Sequence, residues 1–101
     1  MGASVFTNWE AGKDPDAAFF SLKDREIMQY GFAGYSGRIV EKEDFEIIPQ
    51  EEFIESGLTL DEFIDEMLDD PRFDDKWGPA AALAYTRNGV DGWLFFGWAS
   101  S

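Results

Sequence analysis

The clearest periodicity in the chain lies at residues 60–68. Leu60, Phe63, Ile64, Met67 and Leu68 recur at i, i+3, i+4, i+7 and i+8, the apolar stripe of an amphipathic helix. Thr59 occupies the N-cap position, and Glu62 three residues on completes a capping box. The opposite face carries Asp61, Glu62, Asp65, Glu66 and Asp69. Pro71 disfavours a helical Asp70, so the helix ends there. An earlier helix is predicted over residues 15–30. Asp14 caps it, and Pro15 fits the first turn, where its missing N–H costs nothing. Its apolar set of Ala18, Phe19, Leu22, Ile27 and Met28 makes only an imperfect stripe. Gly31 terminates it.

Strand patterns fill most of the rest. Residues 3–9 are rich in β-branched and aromatic side chains and precede a polar turn. Residues 38–48 read as two strands around a tight polar turn near Lys42 and Asp44, closed by Pro49. Residues 50–57 form a polar connection with room for a short helical turn near residues 51–54. Residues 80–85 and 93–99 read as paired strands around Arg87-Asn-Gly-Val-Asp-Gly92, which holds two hairpin-turn signals. The first of these strands could instead be a short helix, because residues 80–84 have high helix propensity. The last strand, Trp93-Leu-Phe-Phe-Gly-Trp-Ala, is apolar on both faces, so it is central in a sheet or exposes one face to a partner. The expectation is a small single α+β domain of order β-α-β-β-α-β-β. Its mainly antiparallel sheet would pack on two helices.

Charge changes the picture next. Of the net −13, all but the balance of the two ends sits in residues 41–75, where 15 acidic residues face only Lys42 and Arg72. Acidity alone suits disorder, but ten Phe, four Trp and three Tyr supply a burial potential that disordered acidic chains lack. The chain has no cysteine and no histidine. That removes thiolate and imidazole chemistry, disulfides and the commonest transition-metal ligands. No apolar run approaches the roughly 20 residues of a membrane span. The first residues lack a signal-peptide pattern, and Thr7 lies one place beyond the myristoylation position. Anionic membranes and nucleic acids would repel the chain. These features predict a cytoplasmic protein with a basic protein partner, no membrane association and no direct nucleic-acid binding.

Candidate chemistry adds little. Glycines at 31, 34 and 37 invite a phosphate-loop reading, but this loop follows a helix, enters a strand and has no Lys-Ser/Thr pair. Tyr35, Ser36 and Arg38 could line a pocket and equally suit an ordinary loop. Asp69, Asp70, Asp74 and Asp75 offer hard oxygen ligands without the spacing of an EF-hand. The expectation is no cofactor, no specific metal and no enzyme activity, since no catalytic constellation stands out.

Tyr30-Gly-Phe-Ala-Gly-Tyr-Ser-Gly-Arg-Ile-Val-Glu-Lys-Glu-Asp-Phe45 resembles a motif of small bacteriophage and prophage proteins. In that motif a helix ends in Tyr-Gly, a Gly-Tyr-Ser/Thr-Gly loop follows, and a strand leads into Glu-Lys and an aromatic. The C-terminal Trp93-Leu-Phe-Phe-Gly-Trp-Ala-Ser is similar too, while Phe32 replaces an expected His. The resemblance implies a phage origin and carries no activity with it. It sets a context in which inhibitors of host defence act as nucleic-acid mimics.

Residues 61–70 place six carboxylates along about 13.5 Å of helix, or one per ~2.3 Å. Duplex DNA presents one charge per ~1.7 Å and a single strand one per ~3.4 Å. The expected partner-binding surface is Glu51, Glu52, Glu55, Asp61, Glu62, Asp65, Glu66, Asp69, Asp70, Asp74 and Asp75. It would inhibit a basic host nucleic-acid-acting or defence protein, in the manner of an anti-CRISPR or anti-restriction protein. The alternative is an accessory or structural phage protein whose acidic face only solvates the fold. A homodimer through the C-terminal aromatic strand is a further expectation if that strand exposes a face.

Overall fold

A computed structural model describes residues 2–31 and 38–100, with only the backbone of Tyr30. Its elements are β1 (Ala3–Ala11), α1 (Pro15–Tyr30), a 3-10 turn (Ile39–Glu41), β2 (Phe45–Ile48), α2 (Gln50–Ser56), α3 (Leu60–Leu68), β3 (Ala80–Ala84) and β4 (Gly92–Ser100). The four strands form one sheet in the order β1-β4-β3-β2. β4 runs antiparallel to both neighbours, β1 and β3, whereas β2 lies parallel to β3. The sheet is therefore mixed, antiparallel in two of its three pairings and parallel only at its β2 edge. A parallel pair needs a long crossover, and α2 and α3 supply it.

Local signals act where they stand. Asp14 Oδ1 accepts the Asp16 N–H at 3.0 Å, and the Gly31 N–H returns to the Ile27 carbonyl at 2.8 Å with φ 75°. The capping box of Thr59 and Glu62 forms in both directions. Asn88 and Gly89 take φ values of 52° and 79°, the positive pair of a type I′ hairpin turn, and Arg87 and Val90 bridge across them. The loop at residues 32–37, with its glycines, Tyr35 and Ser36, lies outside the described residues.

Three expectations are corrected. Residues 38–41 form no strand: Ile39 and Val40 are buried in the 3-10 turn, and Ile39 packs with α1 beneath the sheet. Residues 50–56 form a full helix, entered at Pro49 and stopped by left-handed Gly57. The helices do not share one apolar face of the sheet. Phe19 and Leu22 of α1 pack with Ala80, Ala82 and Phe95, while Phe63, Ile64 and Met67 of α3 pack with Ala81, Leu83, Leu94 and Phe96. Successive strand residues point to opposite faces, so β3 and β4 sit between two helical layers. Ala80–Ala84 is a strand because Ala80, Ala81, Ala82 and Leu83, all fully buried, fit between those layers, a tertiary effect that overrides helix propensity.

The same placement answers the dimer expectation. β4 pairs with β1 over residues 92–100 and with β3 over residues 93–96, and of its side chains only Trp93 and Trp98 are partly accessible, so the open apolar face on which that expectation depends is not seen. Two of its indoles hold neighbouring elements. Trp98 Nε1 donates to the Leu68 carbonyl at the end of α3 (3.0 Å), and Trp93 Nε1 donates to the Lys13 carbonyl ahead of α1 (3.1 Å).

Candidate acidic recognition surface

α2 and α3 cover one face of the sheet, and packing fixes which way their acids point. Phe63, Ile64, Met67 and Leu68 are buried against the sheet, which leaves Asp61, Glu62, Asp65 and Glu66 exposed on the outer side of α3. Glu51 and Glu55 are exposed on α2, and Asp69, Asp74 and Asp75 on the turns after α3. Glu52 and Asp70 are only partly accessible.

Four of the eleven predicted residues have internal work. Arg72 joins Glu52 on α2 to Asp70 after α3. Its Nη2 and Nη1 reach Glu52 Oε2 and Oε1 at 2.6 and 3.2 Å, and its Nε reaches Asp70 Oδ1 at 2.9 Å. The guanidinium also lies 5.3 Å over the Phe73 ring. Bidentate geometry of this kind is the strong form of an ion pair. It raises the Arg72 pKa, chiefly through the Asp70 and Glu52 hydrogen bonds. Glu62 accepts the Thr59 N–H at 3.0 Å. Asp75 Oδ1 accepts the Trp77 N–H at 2.9 Å. The other seven, Glu51, Glu55, Asp61, Asp65, Glu66, Asp69 and Asp74, have no side-chain hydrogen bond or ion pair among the described residues. The helix ends at Leu68, so the line of charge from residue 61 to 70 bends after Asp69, and Asp70 turns inward to Arg72.

Sequence reasoning treats Lys42 and Arg72 only as weak opposition to the acids. Both organise this region. Lys42 is 1% exposed, not part of a solvated turn, and its Nζ donates to the Lys76 and Gly78 carbonyls at 3.0 and 2.8 Å. It thereby fixes the loop that carries Asp74 and Asp75. The one available signal is that these are the sole bases in a long acidic tract.

The cap and the clamp make stability pH-dependent. Hydrogen bonds from the backbone and side chain of Thr59 lower the Glu62 pKa, and those from the side chain and backbone of Arg72 lower that of Asp70. Both groups bind protons less readily folded than unfolded. Their contribution is therefore complete above the ordinary carboxylate range, about 3.9–4.3, and is lost as the pH falls below it. Thermal melts from neutral to acid pH should show this loss, and Glu62→Gln with Asp70→Asn should flatten it. An unchanged pH profile in that double variant rules the assignment out.

Among the described residues no three acidic side chains converge on a metal-sized site, and no helix is long and apolar enough to cross a membrane. No family model, curated protein or solved structure matches the chain.

Proposed function

We propose that the α2–α3 face is an acidic recognition surface of a phage-type inhibitor. It occupies the basic nucleic-acid channel of a host nuclease, helicase or defence complex. The observation that carries this reading is the set of seven exposed carboxylates with no internal partner, borne on a layer that α3 packing and the Arg72 clamp hold rigid. Fixed like charges raise the local potential and steer a basic partner.

The test is capture from a bacterial lysate, with release followed as salt is raised. A basic nucleic-acid-acting protein should be retained at low salt and weakened at about 0.5 M, where the screening length falls to a few ångströms. Asp61, Asp65, Glu66 and Asp69 changed together to Lys should reduce capture more than tenfold. Glu62 is kept, because its carboxylate caps α3. Unchanged capture by the reversed protein would sink the proposal and leave the accessory role, with a solvating face, in its place.

A further inference from the structure

The opposite face of the sheet carries a second surface, independent of the acidic one. A groove of about 420 Å³ runs between α1 and the segment leading into β2. Its apolar lining is Phe19, Phe20, Ile27 and Phe45. Phe20 is 76% exposed and Ile27 43%, so two large apolar side chains on one stripe of α1 stay in water. Removing them from water would be favourable, and nothing within the described chain does so.

The rim is acidic: Asp16 and Asp24 from α1, Glu43 and Asp44 from the turn before β2. None of the four forms an ion pair among the described residues. The one cation among the groove's described residues, Lys23, is turned inward. Its Nζ donates to the Lys42 carbonyl and lies 5.2 Å over the Phe19 ring. Asp44 feels the buried Lys42 ammonium, but an apolar floor with a net acidic rim still selects its occupant by chemistry. Anionic lipids and nucleic acids are repelled by the rim. A second copy of this chain, at net −13, is repelled as a whole.

We propose that this groove receives a basic amphipathic segment of a partner protein, with bulky aliphatic or aromatic anchors on the floor and flanking Lys or Arg on the rim. The probe is a labelled peptide of about four helical turns, with leucines at i, i+3 and i+4 spacing among lysines. Its control keeps the lysines and replaces every leucine with serine. By fluorescence anisotropy, the leucine peptide should bind about tenfold more tightly than the control, the worth of a buried anchor. The double variant Phe20→Ser with Ile27→Ser should erase that difference without unfolding, since both side chains are exposed. Reversal of Asp61, Asp65, Glu66 and Asp69 should leave it in place, which separates this groove from the α2–α3 face. Equal binding of the two peptides, or a difference that survives in the Phe20/Ile27 variant, overturns the proposal. So does a dimer in sedimentation that the same variant dissociates, because the occupant would then be a second copy.

Discussion

Replacing Lys42 with methionine should lower the unfolding free energy by roughly 1–3 kcal/mol, a loss that follows from stranding part-buried carbonyls. The Lys42 side chain is among the largest fully buried ones in the protein. Its ammonium donates to the Lys76 and Gly78 carbonyls and stands 3.5 Å from that of Asp75. Methionine keeps the length and apolar character of the stem, so packing survives. What disappears is the donor. An acceptor left unpaired costs up to roughly 1–3 kcal/mol when it is buried and less when it is part-buried, and relief from burying a charge returns part of that. The same desolvation lowers the Lys42 pKa, outweighing the attraction of Asp75 and Asp44. The unfolded chain then holds this proton more tightly, so wild-type stability should rise relative to Lys42→Met as the pH climbs toward the ordinary lysine range, about 10.4. Urea unfolding followed by the fluorescence of the four tryptophans measures both effects. Lys42→Met as stable as wild type, with no pH-dependent gap, would show that the ammonium does not hold the loop.

That lysine also marks where reading the sequence stops. α3 is legible because its cap, its acidic first turn and its apolar stripe all lie within ten neighbouring positions and agree. The Asn88-Gly89 turn is legible for the same reason. Ile39 and Val40 mislead: β-branched residues suggest a strand, but Lys42 reaches carbonyls more than thirty residues away, and no local pattern encodes that reach. The split of helices between the two sheet faces is hidden similarly, because α1 has a weak stripe and an aromatic, Phe20, on its outer side. For the acidic surface, composition locates the charges, and helical period places those of α3. It cannot show that Arg72 joins Glu52 to Asp70, since Glu52 lies twenty positions away. The sequence therefore singles out only Glu62, through its capping box, among eleven acids that the fold separates into seven without an internal partner among the described residues and four with structural work.

Phe95→Ala should cost about 3–5 kcal/mol, the usual range for deleting a buried phenylalanine, out of the roughly 5–15 kcal/mol that stabilises a domain. Phe95 is fully buried, with its ring 5.3 Å from that of Phe19 and 5.5 Å from that of Phe45. Phe19 and Phe45 are themselves 5.0 Å apart. The three rings join β4, α1 and β2, elements that share no sequence neighbourhood. A void at Phe95 cannot be filled by backbone movement, because β4 is paired along both edges. The tilted and edge contacts add about 0.5–1.5 kcal/mol per pair beyond burial, so Phe95→Ala and Phe45→Ala should be non-additive in a double-mutant cycle. Phe20→Ala, on the outer side of the same helix, should change stability by no more than about 0.5 kcal/mol. Comparable losses for Phe95 and Phe20 would contradict the placement of α1 on this sheet face. A large loss for Phe95 alone would establish that Phe19 and Phe45 are held from beneath. The floor of the α1 groove would then be preorganised, with only Phe20 and Ile27 left to meet an occupant.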